Sequence, residues 1–210
     1  MTCIAVKVMP DRAIVVTDSA AAGVVDGKPS TGELTKCWSY PHLEAAIALR
    51  GPHELLLRIS DWLSTYVFDF DTAEGHLAEA LHNGTFYRRE FFPGPGARQK
   101  DKAEILFVGF SPAAAHFRGF VYQGPDFKRM EMPVPGSLVA PAEGADPVYT
   151  TTTVDELAGI VQRQAERVCA GDIEPGLDAD IAQAFGGRIL VTELTRNQIV
   201  QRFARLGGCS

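Results

Sequence analysis

The chain has 210 residues, 46% of them hydrophobic and 22% charged, which suits one globular domain with a sizeable core and excludes a fibrous or wholly disordered segment. A net charge of -6 gives no electrostatic reason to expect nucleic acid or an anionic membrane as partner. No apolar stretch approaches the roughly 18 residues of a membrane span, and the N-terminus lacks the basic segment and cleavage site of a secretion signal, so a cytoplasmic protein is expected.

The first elements read as strands. Thr2 to Met9 is a short β-prone apolar run, and after Pro10-Asp11-Arg12 a second run from Ala13 to Thr17 leads to Asp18, which reads as a hairpin. Ser19 to Thr35 holds three glycines and Pro29 and is expected to be a loop. Lys36 to Tyr40 and Leu43 to Leu49 then read as two more strands, making four in all before the first helix.

Gly51-Pro52 suits a helix start, and Leu55, Leu56, Ile59, Trp62, Leu63 and Tyr66 fall on one helical face. A second helix is expected from Thr72 to His82, followed by a surface loop rich in proline, glycine and charge from Phe91 to Lys102. Strands resume at Ala103 to Phe110, Ala114 to Gln123, Phe127 to Met132 and Leu138 to Ala140. Thr153 and Glu156 have capping-box spacing ahead of an apolar stripe of Val154, Leu157, Val161, Ala165 and Val168. A last hairpin pairs Gly187 to Thr195 with Ile199 to Phe203. This order implies a layered α+β sandwich rather than a Rossmann alternation, with residues 1–210 forming one domain.

The chemistry concentrates at the N-terminus. A threonine that begins the mature chain carries a hydroxyl nucleophile and its own amine as base, so Thr2 is the candidate nucleophile once Met1 is removed. Hairpin parity ties this residue to Asp18. A three-residue loop sets Met9 opposite Ala13 and puts Asp18 on the face of Thr2, about 7–8 Å away on the diagonal. A two-residue loop flips the parity, so that Asp18 shares its face with Cys3, the alternative nucleophile. Lys36 supplies an ammonium that lowers the pKa of a nucleophilic hydroxyl or amine, held in place by Asp18. The backbone N–H of Gly51, between a strand and a helix, is a candidate oxyanion donor.

The remaining polar residues have plainer readings. Cys3, Cys37, Cys169 and Cys209 contain no C-x-x-C pair and are expected as reduced thiols, Cys3 and Cys37 as core fillers. His42, His53, His76, His82 and His116 lack metal-ligand spacing, so neither metal nor cofactor is expected. Arg88-Arg89, among Phe86, Tyr87, Phe91 and Phe92, reads as a solvated helix end, with a substrate rim or subunit contact as the sharper alternative.

Thr2-Cys3-Ile4-Ala5-Val6, Val15-Val16-Thr17-Asp18-Ser19, Leu34-Thr35-Lys36 and Ala48-Leu49-Arg50-Gly51 resemble the start of the proteasome-type N-terminal nucleophile (Ntn) hydrolases, which include proteasome β-subunits, HslV and Anbu. Asp18 follows Thr2 by 16 positions, the family spacing, and Ala22-Gly23-Val24 is similar to an Anbu-type loop. The resemblance implies a four-layer αββα sandwich and a threonine-type hydrolase of peptides or small amides, assembled as a homo-oligomer, either a dimer or a ring or stack. Lys36 lies slightly further along than in typical β-subunits, so the preceding segment carries a small insertion. Ser137 stands as a faint counterpart of the family's later serine, and Asp180 or Asp172 of its late aspartate. No propeptide is expected ahead of Thr2, so activation is expected to need only loss of Met1. The other readings are a non-catalytic structural subunit of the same fold and an amidase that uses Cys3.

Overall fold

A computed structural model describes residues 2–25, 28–66, 68–82, 103–141, 153–172 and 185–205. Two five-stranded antiparallel sheets lie face to face. The first runs in the order β10-β1-β2-β11-β12, built from β1 (Ile4–Val8), β2 (Arg12–Asp18), β10 (Gly136–Ala140), β11 (Arg188–Thr195) and β12 (Gln198–Arg205). The second is β5-β6-β7-β8-β9, from β5 (Cys37–Tyr40), β6 (Ala45–Arg50), β7 (Glu104–Ser111), β8 (His116–Gln123) and β9 (Lys128–Glu131).

Side-chain alternation along each strand divides the core into three apolar layers. Ile4, Val6, Val8, Ala13 and Val15 of the first sheet meet Ala46, Ala48, Leu106, Val108 and Val121 of the second. Cys3, Ala5, Ile14 and Val16 point the opposite way, against Leu157, Val161, Ala165 and Val168 of α3 (Val154–Ala170). Ile47, Leu49, Ile105 and Phe107 pack under α1 (His53–Tyr66) and α2 (Phe70–His82). Helix, sheet, sheet and helix pair thus make four layers, as the family resemblance implied.

Each helix is set by features of its own sequence. α3 starts on a complete capping box, with the Thr153 side chain accepting from the Glu156 N–H and the Glu156 carboxylate accepting from the Thr153 N–H. It ends on Gly171, whose φ of 78° closes the last turn. α2 begins two residues before the expected Thr72, because Asp69 caps it, its Oδ1 accepting the Thr72 N–H at 2.8 Å, and the Phe70 ring lies against Phe107 with centroids 4.9 Å apart. Gly109 leaves room for it, since a Cβ there would lie 2.5 Å from the Phe70 ring.

Two expectations need correction, and one open choice, the length of the β1–β2 loop, is decided. Ser19 to Thr35 is mostly a hairpin, β3 (Ala20–Val25) and β4 (Lys28–Glu33), so six strands rather than four precede α1. The β1–β2 connection is a two-residue loop: Val8 pairs with Ala13, and the Met9 N–H donates to the Arg12 carbonyl at 2.8 Å. The tighter turn closes on Pro10-Asp11, leaving Arg12 in the strand. Cys169 is disulfide-bonded, whereas Cys3 and Cys37 are the free, buried thiols among the described cysteines. The Phe91 to Lys102 loop and the Arg88-Arg89 patch lie outside the described residues.

Candidate active site

The site lies where β1 begins and β2 ends, against β6 of the opposite sheet. The β1–β2 ladder runs one pair past the strand, because the Asp18 N–H donates to the Cys3 carbonyl at 3.3 Å. The return bond is different. The Cys3 N–H donates at 2.8 Å to Asp18 Oδ1, a side-chain oxygen. The carboxylate therefore replaces the carbonyl that a regular ladder would present, and this turns it along the end of the sheet. Its other oxygen, Oδ2, accepts from Lys36 Nζ at 3.0 Å and from the Gly186 N–H at 3.1 Å.

Lys36 in turn is tied to the second sheet. Its carbonyl accepts from the Leu49 N–H at 3.2 Å, continuing the β5–β6 pairing by one step. The Leu49 carbonyl accepts from Thr2 Oγ1 at 2.9 Å. These bonds and the peptide link from Thr2 to Cys3 make a closed circuit: Thr2, Leu49, Lys36, Asp18, Cys3 and back to Thr2. Thr2, Asp18 and Lys36 are 2%, 0% and 6% exposed, so the circuit sits in a low-dielectric environment where charge is felt strongly.

Burial pushes the Asp18 carboxyl above the usual carboxylate range, while the Lys36 ammonium and the Cys3 N–H oppose that shift. Burial, and next the Asp18 charge, push the Cys3 thiol well above its ordinary value. Burial also lowers the pKa of His53 at the start of α1, with Lys36 acting in the same direction and Glu54 against it. A second buried cation, Arg50, pairs with its cross-strand neighbour Glu104 at 3.2 Å.

The two-residue loop puts Asp18 opposite Cys3 in the register, yet it does not aim the carboxylate at the thiol. Cys3 packs among the α3-facing residues. Thr2, on alternate parity, reaches across to the second sheet. Gly51 follows two residues after Leu49 with φ 148°, and a Cβ there would lie 3.1 Å from that of Ala103, so glycine fits this turn on both counts. Ser137 is not brought to the site. It pairs with Lys7, five residues from Thr2, which is about 17 Å along the strand. Asp172 is exposed, and its N–H donates to the Arg167 carbonyl at 2.9 Å just past α3. Asp180 and Met1 lie outside the described residues.

Sequence reasoning missed the Gly186 N–H and the role of Ser19. The glycine pair Gly186-Gly187 is the signal that was there to find. Gly186 has φ 102° and Gly187 φ 78°, and a Cβ on Gly187 would come within 2.9 Å of Ser19 Oγ. Ser19 Oγ accepts the Arg188 N–H at 2.9 Å, and the Ser19 and Ala20 N–H groups both donate to the Gly186 carbonyl. The turn before β11 is thereby clamped to the residues just after Asp18.

Among the described residues, no three His, Cys, Asp or Glu side chains are grouped to hold a metal ion, and no helix is long and apolar enough to cross a membrane. No family model matches the sequence, and no curated protein matches it. Solved structures do. An Anbu mutant from Hyphomicrobium sp. strain MC1 superposes with a TM-score of 0.63 at 12% identity, covering 99% of this chain and 87% of that one. At that identity the likeness speaks for the fold alone. The chain has the proteasome-type N-terminal nucleophile hydrolase fold, the fold of Anbu.

Proposed function

We propose that this chain is a threonine-type Ntn hydrolase that cleaves amide or peptide bonds after loss of Met1, working as a single-domain subunit of a homo-oligomer. The observation that carries the reading is the buried circuit joining Thr2 Oγ1, Leu49, Lys36, Asp18 and the Cys3 N–H. In the reaction, Thr2 Oγ1 attacks the substrate carbonyl carbon as its proton passes to the Thr2 amine. The amine then protonates the leaving nitrogen, the C–N bond breaks, and an ester remains on Thr2. Water, deprotonated by the same amine, releases the acid and restores the hydroxyl. Lys36 favours the neutral amine and the developing negative charge, Asp18 holds Lys36 in place, and the Gly51 N–H is assigned to the oxyanion.

The buried thiol supports Thr2 over Cys3, since a thiol pushed up in pKa and packed under α3 is a poor nucleophile. Ser137 and Asp172 have no part in the mechanism proposed.

Two measurements test the reading. Intact mass of the native protein is expected to show Met1 removed, whereas Met1 retained in essentially every molecule sinks the proposal and leaves a non-catalytic subunit. Hydrolysis across a panel of peptides and acyl amides is expected to vanish in Thr2→Ala and survive in Cys3→Ala. The opposite pattern transfers the nucleophile to the thiol.

A further inference from the structure

Thr17 precedes Asp18 on β2 and is fully buried, and its Oγ1 has no hydrogen-bond partner among the described residues. A buried orphan hydroxyl is costly, and its position here is informative. Ala13 and Val15 on the same strand face the space between the sheets, so Thr17 faces it too. Its register partners are Ile4 on β1 and Leu190 on β11, both members of that inter-sheet layer.

Thr2 shares the inter-sheet face, as its bond to the Leu49 carbonyl of the opposite sheet requires. Because the ladder continues through the Cys3–Asp18 pair, Thr17 and Thr2 are diagonal neighbours on adjacent strands, with backbones about 7–8 Å apart. Hydroxyls on such a diagonal are too far apart for a direct bond. A single water with two hydrogen bonds of ordinary length spans about 5.5 Å, which suits the gap once the side chains extend toward each other. The donor and acceptor roles also fit. Thr2 Oγ1 gives its proton to Leu49 and keeps acceptor capacity, while Thr17 has both a donor and acceptors to offer.

We propose that Thr17 is a positioning residue, which holds one buried water against the Thr2 hydroxyl and so fixes the rotamer from which Thr2 attacks. This deepens the hydrolase reading and rests on it. The role needs no contact with substrate, so it acts on turnover rather than on binding. A valine has the shape of threonine without the hydroxyl, and serine keeps the hydroxyl without the methyl.

The test joins kinetics with crystallography. In Thr17→Val, kcat is expected to fall between ten- and a hundredfold, on the order expected for a slightly misplaced reacting group, with KM unchanged, and Thr17→Ser is expected to restore most of it. A high-resolution crystal structure of the wild-type protein is expected to show a water within hydrogen-bonding distance of both hydroxyls. A dry contact at Thr17 Oγ1 overturns the proposal. So does a Thr17→Val protein with wild-type kcat and a raised Tm, the behaviour of a merely tolerated orphan. The water density is read whether or not any substrate is turned over, so failure of the hydrolase reading and failure of this one are told apart.

Discussion

Replacing Asp18 by Asn keeps the shape of the side chain and removes its charge, which isolates the part of the circuit that is electrostatic. The carboxylate accepts from three donors: the Cys3 N–H at 2.8 Å, Lys36 Nζ at 3.0 Å and the Gly186 N–H at 3.1 Å. An amide has one acceptor oxygen, so whichever way it is turned an NH2 group faces either the Cys3 donor or the Lys36–Gly186 pair. Lys36 is only 6% exposed, and breaking a buried ion pair by neutralising one member costs about 3–5 kcal/mol. For an m-value of about 2 kcal/mol/M, the urea midpoint is expected to drop by roughly 1.5–2.5 M, followed by tryptophan fluorescence. Adding Lys36→Met to Asp18→Asn is expected to recover much of the loss. A single-variant loss below about 1 kcal/mol, or a double variant as unstable as the two singles combined, refutes the reasoning.

Three further outcomes are expected. Burial pushes the Cys37 thiol up to about 12, so about one molecule in ten thousand carries that thiolate at pH 8, and iodoacetamide should label Cys37 only after unfolding. Rapid native labelling counted by peptide mapping would contradict this. Gly109→Ala drives a methyl to 2.5 Å from the Phe70 ring and 2.8 Å from the Ala45 Cβ, and is expected to cost about 1–3 kcal/mol in chemical denaturation. Thr153→Ala removes the α3 capping box and should cost about 1 kcal/mol, a loss that a Thr153→Ser variant avoids.

Much of the architecture was legible because burial writes a period into the sequence. The stripe Leu157, Val161, Ala165 and Val168 is the face α3 turns to the first sheet, and the cap that starts it follows from side-chain chemistry within four residues. The β3–β4 hairpin was not legible. Its glycines and Pro29 are ordinary turn signals, and the pairing of Ala20 with Glu33 is fixed by backbone bonds such as Leu34 N–H to the Ser19 carbonyl rather than by an apolar pattern. The loop at Pro10-Asp11 shows how far a local ambiguity reaches. One residue more or less reverses every facing relation between β1 and β2, and the sequence held both options open. The structure also shows why parity was an incomplete guide to the site. Asp18 stands at the end of its strand, where a carboxylate can turn into the ladder and bond a backbone N–H, so it serves the Thr2 end of the sheet while sitting opposite Cys3. Gly186 comes from 168 residues away in sequence, and a contact of that range leaves no short motif behind.

Asp18 and Lys36 flank the β3–β4 hairpin, and their ion pair, together with the Leu34–Ser19 bond and the Arg188–Glu33 pair, closes its base. The hairpin is therefore a replaceable cassette. Residues added or removed in matched numbers between Val25 and Lys28 lengthen or shorten the hairpin, while the ion pair at its foot holds the two charged groups together. A protein engineer can therefore graft a segment between Val25 and Lys28 with the expectation that the Asp18–Lys36 distance of 3.0 Å is kept.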